Sequence, residues 1–176
     1  MVNFMSHWSV AVSDLKFQEP TPMKDPVREQ VLYLLRGGGA HVRFDDVVAD
    51  FPARLRGAKP AGSPHSAWQL LEHMRIAQHD ILDFSVNPRY VSKEWPADYW
   101  PPAEKPPSAS AWKTSIGAIK KDLAAMIKLV ENPKTDLYGK IPHGDGQNIL
   151  REALLIADHN AYHLGQLMLL KRMLEV

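Results

Sequence analysis

Residues 149–174 read ILREALLIADHNAYHLGQLMLLKRML and are the most informative segment of the chain. It contains no proline, and apolar side chains return at helical spacing, so it predicts one long α-helix. At about 100° per residue, one narrow stripe of this helix holds Glu152, Ile156, His159, His163, Gln166 and Leu170. A row of polar side chains among Leu and Ile on a buried helix face lowers stability unless these side chains have hydrogen-bond partners or bind an ion.

The two histidines of this stripe form a candidate metal-binding pair. His159 and His163 are four residues apart, so they lie one turn apart on the same helix face and both can reach one metal ion. The chain has eight histidines, and a pair at this spacing also arises by chance. The alternative is a pair of core-edge histidines hydrogen-bonded to carboxylates. A third ligand from another helix decides between the two interpretations.

His73 is the candidate third ligand. It lies in SAWQLLEHMRIAQHDILDFS, residues 66–85, a helical pattern without Gly or Pro. His73 falls at the edge of the apolar face, with Asp80 two turns further along the same line, whereas His79 projects nearly opposite as a solvated histidine. The remaining histidines are predicted to lie outside the long helices: His7, His41, His65 and His143.

Two motifs carry a family resemblance. The segment Trp68–His73 (WQLLEH) and the segment His159–Gln166 (HNAYHLGQ) resemble the DinB/YfiT-like family of metal-dependent four-helix-bundle proteins, over most of the chain from about Asp25 onward. The resemblance implies that His73, His159 and His163 bind a divalent metal, zinc or nickel, with water in the open positions. Some members of the family are transferases or isomerases that use a low-molecular-weight thiol.

The pattern of helical segments predicts an all-α fold, a four-helix bundle of the DinB/YfiT type. The four principal helices are expected near residues 26–36, 66–86, 109–131 and 148–174. A shorter helical stretch, 44–55, is interrupted at Pro52, and the absence of period-two alternation argues against a sheet. We expect an N-terminal arm over 1–24 and a single domain over 25–176.

A long Pro/Trp-rich connection, residues 87–107, joins the second and third principal helices; we call it the strap. It holds six of the fourteen prolines and the aromatic residues Tyr90, Trp95, Tyr99 and Trp100. Proline density argues against a helix here. The aromatic side chains either plug the gap between helices or form a wall or lid over the metal, and both can hold together. The strap also leaves two topologies open, antiparallel neighbours throughout or a crossover.

Composition excludes several classes of protein. Lys and Arg number 21 against 20 Asp and Glu, a net charge of +1, so nothing indicates a nucleic-acid-binding surface. No apolar run is long enough to span a membrane, and no basic segment followed by an apolar run opens the chain, so we expect a cytoplasmic protein. The chain has no cysteine, which excludes disulfides, thiolate zinc sites and a catalytic Cys. A metal must therefore be held by imidazole and oxygen, and any thiol must arrive as a cosubstrate.

Three imidazoles with open coordination positions are typical of a catalytic metal site. Glu152 and Asp80 are candidates to accept an imidazole N–H and so orient a ligand, although both could be ordinary helix carboxylates. Two functions compete: a metal-dependent enzyme acting on a small molecule, by thiol-dependent transfer, isomerisation or hydrolysis, and a non-catalytic, metal-stabilised dimerising or binding module. We expect a small-molecule substrate and a homodimer.

Overall fold

Five α-helices form the regular structure of residues 25–37 and 39–175, which are the parts of the chain that this computed structural model describes. They are α1 (Pro26–Arg36), α2 (Phe44–Val48), α3 (Ala67–Val86), α4 (Ala111–Glu131) and α5 (Ile149–Leu174). The described residues contain no strand, which confirms the all-α fold class. The N-terminal arm expected over 1–24 lies outside the described residues.

The predicted boundaries of the long helices fall within two residues of the observed ones, because local chemistry sets them. Asp25 accepts hydrogen bonds from two backbone N–H groups of the first turn of α1, and Gly37 ends that helix with φ 70°, a conformation that glycine adopts without strain. Ser66 and Gln69 form a reciprocal capping box at the start of α3. The Asn148 side chain caps α5. The short stretch predicted over 44–55 is helical only over α2 and in a 3-10 turn at Ala53–Leu55.

Helices α3 and α4 run parallel to each other. Glu72 of α3 accepts a hydrogen bond from Ser115 of α4, and seven residues further along both helices His79 pairs with Asp122 at 3.0 Å. The strap must therefore carry the chain back along the length of the bundle before α4 begins. Of the two topologies left open by the sequence, the structure has the crossover.

Helix α5 runs antiparallel to α3 and packs beside it. The ring of His163 lies against that of His73, while Asn160 donates a 2.7 Å hydrogen bond to Gln78. Gln78 in turn donates a 2.7 Å hydrogen bond to the Ile119 carbonyl of α4. This buried polar chain connects three helices at one level and fixes their relative register.

Two hydrophobic clusters fill the bundle. Helix α5 contributes Leu164, Leu167 and Leu170 to the first cluster and Ile149, Ala153 and Ile156 to the second. His159 and His163 occupy the interval between these two sets, at the start of the first cluster. None of the helices in the described residues combines the length and the hydropathy that a membrane span requires.

Candidate metal centre

Three histidines from two helices meet between the hydrophobic clusters. His73 of α3 and His159 and His163 of α5 each offer a ring nitrogen, and these nitrogens lie within 4.8 Å of one another. The Nε2 atoms of His73 and His159 are 3.1 Å apart. Two nitrogens bound tetrahedrally to one zinc ion at 2.0–2.1 Å would be about 3.3 Å apart. The structure thus brings together the three residues that the sequence singled out.

Hydrogen bonds on the far side of the rings determine which nitrogen carries the proton in two of the three histidines. His73 Nδ1 lies 3.0 Å from the backbone carbonyl of Tyr99, and His163 Nδ1 lies 2.7 Å from Oε1 of Gln166. Both oxygens can only accept, so both Nδ1 atoms donate. The neutral rings of His73 and His163 are therefore left with an Nε2 lone pair.

His159 completes the cluster without an orienting partner. Its Nδ1 is buried and has no hydrogen-bond partner among the described residues. The ring centre of His163 lies 4.4 Å from that of His159 and 4.6 Å from that of His73. The neutral imidazole of His159 has one N–H, which can satisfy only one of the two facing lone pairs. A divalent cation would accept one lone pair from each of the three rings at once, so this donor set fits a metal.

Burial keeps the three imidazoles in the form that binds metal. It lowers the pKa of His159 to about 4, and the neighbouring rings of His163 and His73 lower it further. Burial likewise lowers the pKa of His163 to about 4, against the opposing effect of the Gln166 hydrogen bond. The pKa of His73 is also lowered by burial, with the Tyr99 carbonyl acting in the opposite direction. At neutral pH the rings are uncharged, as metal ligation requires.

The strap forms one wall of the site. The Trp100 ring stacks on His73 with a centroid distance of 3.9 Å and an interplanar angle of 1°. The opposite face of Trp100 stacks on His65 at 3.8 Å. Trp95, two-thirds exposed, approaches His73 edge-on at 6.4 Å. The strap therefore both fills the gap beside α3 and walls the candidate metal centre, so the two interpretations of its aromatic residues hold together.

The two carboxylates proposed as imidazole acceptors have other partners. Asp80 accepts hydrogen bonds from the hydroxyls of Tyr90 and Tyr99, and Glu152 pairs with Arg151 at 2.7 Å. The expectation of a direct imidazole bond to Asp80 or Glu152 is therefore wrong. The groups that accept the imidazole protons are a backbone carbonyl and the side chain of a glutamine. Residue type and helical spacing alone do not identify such groups as partners of a histidine.

Burial nevertheless sets both carboxylates apart from ordinary surface residues. Asp80 is 8% exposed and Glu152 is 3% exposed. Burial raises the pKa of Glu152, opposed by Arg151. Burial raises the pKa of Tyr99 above its usual value, and the hydrogen bond to Asp80 raises it further. The Tyr99 hydroxyl therefore remains protonated and acts as a donor.

A cleft of about 580 Å³ opens beside the histidines. Its lining includes His73, Asp80, Tyr90, Trp95, Tyr99, His143, Arg151, Glu152, Leu155 and His159. The volume is that of a pocket for a small organic molecule, and one apolar wall faces several polar groups. Two of the three clustered histidines, His73 and His159, line the cleft, so a small molecule in it would lie beside them.

The other histidines of the described residues do not join the cluster. His79 is exposed and pairs with Asp122, as its projection away from the apolar face predicts. His143 lines the cleft and donates from Nε2 to the Phe84 carbonyl at 2.8 Å. His65 precedes α3 in a loop, as expected. Its ring stacks on Trp100, which itself stacks on His73, so the Trp100 ring separates the two imidazoles. Helical periodicity could not find His65, because it lies before the helix begins.

Comparison with known sequences adds an independent line of support for the fold. The sequence model of the DinB superfamily matches residues 39–167, a range that includes α2 to α5 up to Leu167 and all three clustered histidines. Searches of curated proteins and of solved structures gave no match. Since the match spans well over half of the chain, this protein belongs to the DinB superfamily.

Proposed function

We propose that the protein binds one divalent metal ion through His73, His159 and His163 and acts as an enzyme on a small molecule held in the adjoining cleft. The observation that carries the proposal is the convergence of three neutral imidazoles, two of them oriented by Nδ1 hydrogen bonds, beside an open cleft. Three protein ligands with an open side are typical of catalytic sites. Imidazole ligands suit zinc and nickel, the two metals we propose.

A bound divalent cation would supply Lewis acidity, stabilising negative charge on an oxygen or sulfur atom of the substrate. The protein's own groups supply the remaining requirements. Tyr99 and Gln166 hold protons on the far nitrogens of His73 and His163, so that the near nitrogens keep their lone pairs. Trp100 covers one face of His73 and excludes water from it. These contacts preorganise the ligands before substrate arrives.

A low-molecular-weight thiol is the cosubstrate that we propose for a transfer or isomerisation reaction. The chain has no cysteine, so a sulfur nucleophile has to come from solution. A free thiol with a pKa near 8.5 is mostly protonated at neutral pH, and a cation stabilises its thiolate form. The exposed Trp95 and the neighbouring Leu155 offer apolar surface in the cleft for the reaction partner.

The non-catalytic alternative requires a site closed by a fourth protein ligand. Among the described residues, the group close enough to share one ion consists of the three histidines. Glu152 and His143, which could have closed the site, bond instead to Arg151 and to the Phe84 carbonyl. This arrangement favours the enzyme over a purely structural metal site.

Elemental analysis of protein purified without added metal tests the first step. We expect about one zinc or nickel ion per chain, as for a mononuclear three-ligand site. Protein that contains no transition metal and binds neither ion at micromolar concentration would contradict the proposal.

Titration of the cobalt-loaded protein with glutathione tests the thiol. A sulfur-to-cobalt charge-transfer band is expected if the open position accepts the thiolate. The control is cobalt and glutathione in the same buffer without protein, because a cobalt–glutathione complex in solution gives a band of the same kind. An intact cobalt spectrum that glutathione does not change would leave hydrolysis as the better proposal.

A further inference from the structure

Asp80 is a buried carboxylate held by hydroxyl groups of the strap. It is 8% exposed and accepts a 2.6 Å hydrogen bond from the Tyr99 hydroxyl and one of 3.1 Å from the Tyr90 hydroxyl. Both tyrosines belong to the strap, and Asp80 belongs to α3. A buried carboxylate needs such donors, because it has given up its water. The contact therefore ties two points of the strap to one point of the bundle.

The same tyrosine that binds Asp80 also orients a candidate metal ligand. The hydroxyl of Tyr99 reaches Asp80, while its backbone carbonyl accepts the Nδ1 proton of His73 at 3.0 Å. Asp80 follows His73 by seven residues, two turns along the same face of α3. Tyr99 thus bridges two positions of one helix face. The next residue, Trp100, stacks on the His73 ring.

We propose that Asp80 is a positioning residue for His73: by anchoring Tyr99 and Tyr90 it holds the Tyr99 carbonyl and the Trp100 ring against the imidazole. The proposal rests on the proposed function, since it assigns a role within that same metal site. Asp80 does not touch the candidate metal centre itself, because the group of potential ligands consists of the three histidines. It acts through the strap.

A carboxylate suits this position. Its two oxygens can accept both hydroxyl protons without supplying a competing donor. Asparagine keeps the size of the side chain but replaces one acceptor oxygen by an NH₂ donor, so a single neutral oxygen has to accept both hydroxyl protons. With both anchors weakened, the Tyr99 carbonyl is free to shift from Nδ1 of His73, and the ring can exchange its proton between the two nitrogens.

The first test is zinc affinity, measured by competition with a chelator in Asp80→Asn, Tyr99→Phe and Tyr90→Phe. Loss of a group that orients a metal ligand typically weakens affinity by about 10- to 100-fold. We expect Asp80→Asn and Tyr99→Phe to weaken zinc binding by at least about 10-fold and Tyr90→Phe to weaken it less, because Tyr90 makes no contact with His73. The matched control is Asp122→Asn, which removes an acidic partner of the exposed His79 and should leave zinc affinity unchanged.

The second readout separates positioning from general destabilisation. Proton–nitrogen NMR of the metal-free protein should find His73 protonated at Nδ1 in the wild type and as a mixture of tautomers in Asp80→Asn. Thermal unfolding of each metal-free variant reports whether the fold survives. If Asp80→Asn does not fold, Tyr99→Phe carries the same test, because it keeps the carboxylate and the backbone carbonyl.

The outcomes distinguish the two proposals. A wild-type protein that binds no divalent metal overturns the proposed function. A wild type that binds zinc, together with Asp80→Asn and Tyr99→Phe variants that bind it equally well, overturns only the role of Asp80. Weaker zinc binding with the His73 tautomer unchanged also overturns that role, because the loss would then not pass through the imidazole.

Discussion

His159 is the clustered histidine with the least support from neighbouring protein groups, since its buried Nδ1 has no partner among the described residues. If the cluster binds metal, each of the substitutions His159→Ala, His73→Ala and His163→Ala should weaken zinc affinity by more than about 100-fold. Loss of a group that only orients a ligand already weakens metal affinity by about 10- to 100-fold. The measurement is a zinc competition titration. His79→Ala is the control, since that exposed side chain pairs with Asp122; comparable zinc loss in this variant would contradict the assignment of the helix face.

The pH dependence of the metal-free protein follows from the same residues. Burial lowers the pKa of His159 and of His163 to about 4, whereas an unfolded histidine titrates near 6.5. Between these values the unfolded chain binds more protons than the folded one, so stability falls as the pH drops from 6.5 towards 4. Urea unfolding of the metal-free protein at pH 7 and pH 5 should register this loss.

Removing one of these imidazoles should reduce that loss. In His159→Gln the difference in unfolding free energy between pH 7 and pH 5 should be smaller than in the wild type, because one group with a lowered pKa is gone. His79→Gln, at an exposed imidazole, serves as the matched variant. An identical pH dependence in wild type and His159→Gln would show that this ring does not titrate abnormally.

At the scale of the elements, the two serine N-caps of the long helices differ in what they do. Ser66 is fully buried; its side chain caps α3 in a capping box and donates to the Glu104 carbonyl near the end of the strap. Ser110 precedes α4 without a side-chain cap bond. Ser66→Ala should cost about 1–2 kcal/mol of unfolding free energy, and Ser110→Ala close to none, both measured by urea denaturation. Equal losses of unfolding free energy in the two variants would mean that the capping box does not stabilise α3.

The strap has little regular secondary structure, yet side-chain contacts with the bundle define its position. The strap is held at several points. Trp100 stacks between His65 and His73, and two tyrosine hydroxyls donate hydrogen bonds to Asp80. Helical periodicity predicted where α3 and α4 begin and end, because caps and proline positions act locally. The path of the strap between them depends on contacts made across 10 to 35 positions of sequence, which local propensities do not encode.

At the scale of the whole molecule, we propose a homodimer that uses the outer face of α5. Tyr162, Leu169 and Met173 are 63%, 60% and 50% exposed, and their spacing of seven and four residues places them on one side of the helix. A row of large exposed apolar side chains on a long helix is suited to packing against a second copy. Sedimentation velocity at tens of micromolar should therefore find a dimer.

A charge placed in that row should weaken the dimer. Leu169→Glu should shift the protein towards the monomer, whereas Leu34→Glu, at a leucine of α1 that is 50% exposed, should not. A wild-type protein that sediments as a monomer over the whole concentration range would contradict the proposal, as would a dimer that Leu169→Glu leaves intact.

The helical class, the limits of the long helices and the candidate ligands could be predicted from the sequence, because they follow from periodicity, capping and a spacing of four residues. The sequence also singled out His73, from its place on the inward face of α3. Tertiary structure sets three further features: the parallel course of α3 and α4, the hydrogen bond from His73 to the Tyr99 carbonyl, and the contact of Asp80 with the strap. These contacts join groups that are far apart in sequence. The acceptor for His73 is a backbone carbonyl, a group that every residue has, so the sequence does not indicate which one accepts the proton.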